Sequence, residues 1–491
     1  MAIEEEFMPA TPLNAAEAVK PPRLPLFRVL GFSTVALPVA SLALTLGVYF
    51  PRYLASKLGL GLAAVGAAFT LVRLLDLAFD PMIAMVMDRT RTRFGRFRPW
   101  MLVALPVILV ATWMLLMAER GVGQAFLVIW LLVLYCGLST LGIAHSAWAA
   151  NLATAYHERS RLFSLMAAVS LMGSLLVPLL AVLAGIGGVQ SGQAGMIHAT
   201  GWFVIVALPL AVVYVAVRTP ERPSPQTRRE RVGIREYWSL LVRPSMGRII
   251  VADLALALGP GTTAALFLFF FTAAKGFTSN QTNLLLVIYI ATSLVASPIW
   301  GNVATRFGKH RTLIASTVCY AIAQTYVVLA PRADFLLTVP GMLGVGVGGA
   351  GFILLVRAMV ADVGDEVRLE LGRERIGLLY ALVSVTQKIG SAVSVGLSFL
   401  VLDLVGFKAS LGPANTSHAI QGLEYCYLFA PVLFVLMGGG VFVGYRLDAT
   451  RHAAIRAALE DRDAEQAGHA ARGDVPLNVE NGRSALPALS R

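Results

Sequence analysis

The basic phrase RTRFGRFRPW (Arg91–Trp100) follows a long apolar run, and the chain repeats it as ATRFGKHRTL (Ala304–Leu313) after another apolar run. Counted from Thr92 and from Thr305, five of seven positions are identical. The distance between the two phrases is close to half the length of the 491-residue chain. A repeat at this distance indicates two related halves, each marked in the same loop. The alternative is that both phrases are plain topological anchors beside membrane spans.

The composition of the chain is that of a membrane protein. Hydrophobic residues make up 57% of it, charged residues only 14%, and the mean hydropathy is +0.72. A soluble domain carries about 25% charged residues, so there is too little charge here for a surface that faces water on all sides. The net charge of +12 lies in loops between apolar runs, where membrane topology accounts for it better than nucleic-acid binding.

Twelve apolar segments are long enough to cross a bilayer, which takes about 20 residues of helix. The predicted spans are Phe27–Phe50, Leu62–Val86, Met101–Leu116, Gly123–Ala150, Phe163–Ile186, Gly201–Val217, Ile249–Phe271, Asn283–Ala304, Thr312–Leu329, Phe335–Ala361, Gly377–Leu404 and Tyr425–Tyr445. We therefore predict an all-α membrane protein with twelve transmembrane helices in two six-helix halves.

The predicted spans divide the chain into five parts. These are an N-terminal tail (1–26), a six-helix half (27–217), an arginine-rich hinge loop (218–248), a second six-helix half (249–445) and a C-terminal tail (446–491). A short helix is expected in the C-terminal tail from Ala449 to Ala464. The N-terminal tail is acidic and then proline-rich, without the pattern of a signal peptide, so the first span is expected to remain in the mature chain.

Basic residues concentrate in the loops on one face of the predicted bundle, including both repeated phrases and the hinge. The positive-inside rule places this face and both chain termini in the cytoplasm. The predicted location is the inner (cell) membrane. Two six-helix halves in parallel repeat, with the same loop marked in each, are typical of the major facilitator fold.

The segment from Arg73 to Trp100 resembles the glycoside–pentoside–hexuronide:cation symporter family. That family carries two acids four residues apart in its second helix, here Asp76 and Asp80, followed by a proline and a basic loop ending in Arg-Pro-Trp. A second match is Met359–Ala392, with an Ala-Asp-Val run, a further acid, a basic turn and a helix bearing a lysine before glycine. The resemblance covers nearly all of residues 26–445 and implies a secondary transporter that works by alternating access.

The sequence departs from the family pattern at two helices that matter for substrate. Gly142, in the fourth span, stands where a well-known member carries an acid, and Arg357 stands where a tryptophan is typical of the tenth helix. The first span also has no acid. Two carboxylates that the family links to sugar and cation binding are therefore missing.

Ionisable residues inside a bilayer are unfavourable and are therefore functional candidates. Asp76 and Asp80 supply paired oxygen ligands for Na⁺, or raise each other's affinity for a proton. Lys388 lies at depth in the eleventh span and is expected to pair with one of them. The resemblance implies cation coupling by these three residues, and the alternative is a static ion pair between two helices.

The substrate surface is predicted from polar and aromatic residues in the spans: Arg73, His145, Trp148, Asn151, Asp253 and Arg357. Arg357 is a donor for an anionic group or, alternatively, a snorkelling topological charge. Asp253 touches substrate or makes a hydrogen bond between helices. Trp148 stacks on a sugar or aromatic ring, or faces lipid.

Charged residues in the basic loops are predicted to close an inner gate by pairing across the seam between the halves. They are Asp88, Arg89, Arg93, Arg96, Glu158, Arg159, Arg306, Asp362 and Asp365.

The predicted function is symport of a small polar solute, glycosidic or anionic, coupled to H⁺ or to Na⁺ at Asp76 and Asp80. We expect no enzymatic activity, no cofactor and no other metal, because the sequence has no zinc-protease, phosphate-loop or nucleophile-elbow motif. The expected partners are the lipid bilayer and the solute, without nucleic acid, for a monomeric chain. One alternative is uptake or export of an amphipathic compound such as a lysolipid or aromatic molecule. Another is a non-transporting assembly factor or sensor.

Overall fold

The computed structural model describes residues 25–90, 92–118, 121–152, 156–186, 193–221, 234–372, 375–445 and 447–471. Within these residues, twelve helices are long and apolar enough to cross a membrane, in agreement with the number predicted. The N-terminal tail up to residue 24, residues 222–233 of the hinge loop and the end of the C-terminal tail (472–491) lie outside the described residues.

The spanning helices are α1 (Leu26–Ser56), α2 (Leu62–Arg89), α3 (Arg98–Leu116), α4 (Gln124–Leu152), α5 (Tyr156–Ile186), α6 (Gln193–Arg218), α7 (Pro244–Ala274), α8 (Ser279–Phe307), α9 (Lys309–Leu329), α10 (Phe335–Leu371), α11 (Ile376–Leu404) and α12 (Ser417–Gly440). Two more helices do not span: the hinge helix (Ile234–Leu241) and the tail helix (Ala449–Ala471), which is longer than predicted.

All the basic loops lie at one end of the bundle, which we call the basic face, and the opposite end is the distal face. Three helices that start at the distal face, α8, α10 and α12, have side-chain caps. Thr278 forms a capping box with Gln281 at the start of α8, and the side chains of Asp334 and Thr416 accept backbone N–H groups at the starts of α10 and α12. These caps satisfy N–H groups that a helix start leaves without partners.

Two spanning helices contain a π-helical segment. In α1 it covers Thr45–Tyr49, and α7 ends in one at Phe270–Ala274. Each lies towards the distal end of the first helix of its half. Such segments are rare and occur frequently at functional positions.

Each repeated phrase forms a glycine turn that ties neighbouring helices of one half together. Gly95 has φ +111°, and the Glu221 carboxylate at the end of α6 accepts the N–H groups of Arg96 and Phe97 at the start of α3. In the second half, Gly308 has φ +86° and Lys309 lies 2.5 Å from Asp362 of α10. The phrases therefore brace each half internally.

The two halves meet along two pairs of helices, α2 with α11 and α5 with α8, and the π-segment of α1 also packs on α7. Hydrogen bonds between the halves are found at the distal face and at mid-depth. Towards the distal face, Tyr49 Oη donates to Asn283 Oδ1 (2.9 Å) and Thr70 Oγ1 donates to the Ala392 carbonyl (3.0 Å). The basic-face third of α2 is more exposed, with Met82 at 59% and Val86 at 54%.

Candidate cation and substrate site

Two acids and one lysine meet where α2 crosses α11. Lys388 Nζ lies 2.8 Å from Asp76 Oδ2 and 2.5 Å from Asp80 Oδ2. The Asp76 carboxylate is buried, whereas about a quarter of the side-chain surface of Asp80 and of Lys388 is exposed. The structure thus brings together the three residues for which the sequence predicts a pairing.

Helix geometry explains this placement. Asp76 and Asp80 are one turn apart on α2, so both carboxylates leave the same face of the helix. Lys388 lies roughly 18 Å along α11 from its basic-face end, at about 1.5 Å per residue. An unpaired ammonium at that depth is strongly disfavoured, and the two carboxylates stabilise it there.

Ser139 of α4 is a fourth member of the cluster, and sequence reasoning missed it. Its hydroxyl donates to Asp76 Oδ1 (2.8 Å) and accepts from Lys388 Nζ (3.0 Å). The available signal was its position three residues before Gly142, which puts both on one side of α4. A serine in an apolar span is too common for that signal to decide the matter alone.

The cluster has an excess of negative charge. With both acids ionised, two carboxylates face one ammonium. Asp80 Oδ1 is buried and has no hydrogen-bond partner among the described residues. Arg73 of α2 stacks elsewhere, with its guanidinium carbon 4.0 Å from the centre of the Tyr135 ring. A small cation or a proton at the open oxygen would therefore be favourable, because it adds the missing charge.

The predicted substrate residues of α4 lie on two different sides of that helix. Gly142 has open space where a side chain would begin, and Ser146 is exposed. His145 and Trp148 are instead buried in the first half, where His145 Nε2 lies 2.9 Å from the Phe32 carbonyl.

Trp148 packs edge-on against Phe32 and donates to the Pro220 carbonyl at 3.4 Å. Neither it nor His145 faces the side of α4 that carries Ser139, because residues six and nine positions after Ser139 are rotated from it by about 120° and about 180° around the helix. This corrects the predicted orientation of both side chains. Asn151 is half-buried at the basic-face end, and its Oδ1 has no hydrogen-bond partner among the described residues.

Asp253 is part of the packing between α7 and α11. It is 1% exposed, accepts a short hydrogen bond from the Thr386 hydroxyl and accepts from Gln387 Nε2 at 2.6 Å. Of the two readings of Asp253, the hydrogen bond between helices is the one that the structure contains. Arg357 of α10 has an exposed side chain, and its carbonyl accepts from the Tyr380 hydroxyl at 3.1 Å.

Several predicted gate residues of the first half contact residues of their own half. Arg93 and Arg96 lie over the rings of their neighbours Phe94 and Phe97. Arg89 and Arg306 are exposed, and Glu158 lies 3.9 Å from Arg161 in its own helix. The side chains of Asp88 and Arg159 lie outside the described residues.

The predicted gate acids of the second half are paired with their own half. Asp362 contacts Lys309, and His452 of the tail helix lies 3.3 Å from Asp362 and 3.0 Å from Asp365. Arg456 reaches Asp365 at 3.8 Å. In this conformation, the contacts of these two acids that the described residues show are with Lys309 and the tail helix, within the second half.

Comparison with known proteins agrees with this architecture. A family model described as MFS/sugar transport protein matches residues 31–449. The isoprimeverose transporter of Lactiplantibacillus pentosus is 24% identical over 416 residues, which cover 82% of this chain and 84% of that protein. The sodium-dependent lysophosphatidylcholine symporter 1-B of Danio rerio is 23% identical over 427 residues, covering 79% and 80%.

Among solved structures, a bacterial homologue of the human lysosomal transporter Spinster, inward-facing and unoccupied, matches with a TM-score of 0.64 at 13% identity. The match covers 89% of this chain and 98% of that one. A protein of this fold is a multi-pass membrane transporter of the major facilitator type. The chain belongs to the MFS/sugar transport protein family and, within the superfamily, to the glycoside–pentoside–hexuronide:cation symporters.

Proposed function

We propose that this protein is a symporter that couples the movement of a cation, H⁺ or Na⁺, to uptake of a small polar solute of glycosidic or anionic type. The observation that carries the proposal is the cluster of Asp76, Asp80 and Lys388, which spans the seam between the halves and is one positive charge short. A cluster that only held two helices together would be more stable with its charges balanced.

Coupling follows from competition for the same carboxylates. A cation that binds at the open oxygen of Asp80 weakens the attraction of both acids for Lys388. Since Lys388 belongs to the second half and the acids to the first, the cross-seam ion pair weakens when the cation arrives. The halves are then free to rearrange with the cation bound.

The solute is proposed to bind beside this cluster, against the side of α4 formed by Ser139, Gly142 and Ser146. Gly142 leaves room there that an acidic side chain would occupy. Arg357 is the proposed donor to an anionic group of the solute. Named relatives of the chain include a carrier of isoprimeverose, which supports a glycosidic solute.

The basic face is proposed to be cytoplasmic, by the positive-inside rule, in the inner membrane. Because the hydrogen bonds between the halves lie at mid-depth and towards the distal face, the conformation corresponds to one open to the cytoplasm. The charged loops would then pair across the seam only in the opposite conformation.

Uptake of radiolabelled glycosides and hexuronides into proteoliposomes, with and without an imposed H⁺ or Na⁺ gradient, tests this proposal. Gradient-driven accumulation is expected for the wild type and is expected to disappear in D80N. The matched control is D403N, since Asp403 is an exposed acid of α11 far from the cluster. Accumulation by D80N equal to that of wild type would refute the coupling role.

A second candidate is transport of an amphipathic lipid. It is favoured by the similarity to a lysophosphatidylcholine symporter and by the exposed apolar side chains of α2, Met82 and Val86. The same proteoliposomes, supplied with lysophosphatidylcholine in place of the sugars, separate the two candidates. Lysolipid movement that requires the Na⁺ gradient, with no sugar flux, would select the second candidate.

A further inference from the structure

The distal seam is closed by two side chains of α1 that belong to neighbouring turns. Arg52 Nη1 donates to the Leu268 carbonyl of α7 at 2.9 Å, and Tyr49 Oη donates to Asn283 Oδ1 of α8 at 2.9 Å. Each bond joins the first half to the second, across 216 and 234 residues of chain. Tyr49 is 1% exposed, so its hydrogen bond is sealed from water.

The partners of Arg52 are neutral. Its guanidinium carbon lies 5.5 Å from the centre of the Phe269 ring, and its Nε is buried with no hydrogen-bond partner among the described residues. No ion pair to Arg52 is found in the described part of the chain. A partly buried cation that contacts a carbonyl and a ring face loses hydration free energy, and these two contacts offset only part of that loss. Opening the distal seam would rehydrate the Arg52 guanidinium, and no carboxylate would lose an ion-pair partner.

Both sides of this contact are next to irregular backbone. Tyr49 closes the π-segment of α1, and the carbonyl of Leu268 lies just before the π-segment of α7. That carbonyl also accepts the Thr272 hydroxyl at 2.7 Å. The first helix of each half therefore departs from regular α-geometry where it meets the other half, in positions suited to rearrangement.

We propose that Arg52, together with Tyr49, is the distal gate latch of this transporter. The latch forms when the protein is open to the basic face and breaks when it opens to the distal face, and its strength sets the balance of the two states. This inference rests on the proposed alternating-access transport, and it identifies gating residues outside the acid–lysine cluster.

Distances between the distal ends of the two halves test the latch directly. Spin labels at Lys57 and Lys408, both exposed in distal loops, are attached in a background where the three native cysteines are replaced by serine. Pulsed electron–electron double resonance then reports the populations of short and long distances between the two labels. In R52M, which keeps an apolar stem but no donors, the ratio of distal-open to distal-closed protein should rise about tenfold, as expected for loss of one hydrogen bond from a charged donor.

Two further variants test whether the change in distance comes from the loss of this contact. Y49F removes a single hydroxyl, preserves the packing, and should shift the ratio in the same direction by a smaller factor. R332Q is the matched control, because Arg332 is a distal-face arginine that pairs with Glu424 of its own half at 3.1 Å. It should leave the distances unchanged.

Unchanged distances in both R52M and Y49F would overturn the latch, as would an equal shift in R332Q. The proposed symport is judged separately, by flux. A wild type without flux of any solute, but with the expected shifts in R52M and Y49F, would refute the symport and leave the latch standing.

Discussion

At the residue scale, the site is governed by the charge imbalance around Lys388. The ammonium contacts two carboxylates at once, so neither acid is fully neutralised. One oxygen of Asp80 has no hydrogen-bond partner among the described residues. Such an arrangement responds to small changes: one added cation balances it, and one removed lysine leaves two adjacent acids in a low-dielectric setting.

Removing the lysine should therefore be more harmful than removing the lysine and an acid together. K388M is expected to destabilise the detergent-solubilised protein by about 3 kcal/mol, as when one partner of a buried ion pair is deleted. D76N/K388M is expected to recover part of that loss. Melting temperatures of wild type, K388M, D76N and the double variant form a cycle. Strictly additive effects would show that Asp76 and Lys388 are not coupled.

Gly142 offers a test of the substrate surface that leaves the fold intact. A side chain there meets open space, and replacing a mid-helix glycine favours the helix by about 0.5–1 kcal/mol. G142L should keep or slightly raise the melting temperature while lowering solute uptake at least tenfold, since it fills the proposed site.

The matched control for G142L is G137L on the same helix. A Cβ at Gly137 would lie 2.8 Å from Ile108 Cγ1, so G137L should lower the melting temperature through overpacking. Normal uptake by a well-folded G142L would remove Gly142 from the substrate surface.

At the element scale, the repeated loops act as braces inside each half. Gly95 turns the chain so that the Glu221 carboxylate accepts the N–H groups of Arg96 and Phe97 before α3. Gly308 forms the corresponding turn between α8 and α9, where Lys309 contacts Asp362 of α10. The repeat in sequence thus corresponds to a repeat in structure, although the two phrases use different acids. Cross-seam gating by these loops is a prediction for the other conformation.

The two turn glycines should differ in their tolerance to substitution. Both have positive φ, which disfavours an L-residue by about 1–2 kcal/mol. At Gly95 a Cβ would also lie 2.1 Å from Glu221 Oε2, whereas at Gly308 the nearest atom is 3.9 Å away. Melting temperatures should therefore fall further for G95A than for G308A. Equal losses would mean that the Glu221 contact contributes nothing measurable.

At the scale of the whole molecule, an ion-pair cluster joins the halves at mid-depth, and hydrogen bonds to uncharged acceptors join them towards the distal face. These two sets of contacts have different chemistry. In the proposed mechanism, a bound cation weakens the cluster, and hydration weakens the distal hydrogen bonds. A transporter that changes access must weaken both sets of contacts, and we propose that the transported cation acts on the cluster.

The orientation of the molecule is testable by cysteine labelling in intact cells, in the same cysteine-free background. Phe307 is 66% exposed at the basic face and Leu411 is 47% exposed at the distal face. With the basic face in the cytoplasm, a membrane-impermeant maleimide should label L411C in intact cells and F307C only after permeabilisation. The reverse pattern would place the basic loops outside.

Much of this architecture was predictable from local sequence features. The number of helices follows from hydropathy, and the pairing of Lys388 with an acid of α2 follows from the high free energy of a lone charge in a bilayer. The faces of α4 were not predictable. In a helix that is apolar all round, periodicity does not distinguish the side that meets neighbouring helices from the side that meets substrate, so His145 and Trp148 were assigned to the wrong side.

The class of protein, the repeat of its two halves and the charged residues inside the membrane all follow from the amino-acid sequence, because each depends on the composition of single segments. The packing of the helices was needed to show which charges share one cluster with Ser139, that Asp362 and Asp365 pair within their own half, and that Arg52 crosses the distal seam. Those are contacts between segments hundreds of residues apart, and their geometry depends on how whole helices pack against one another.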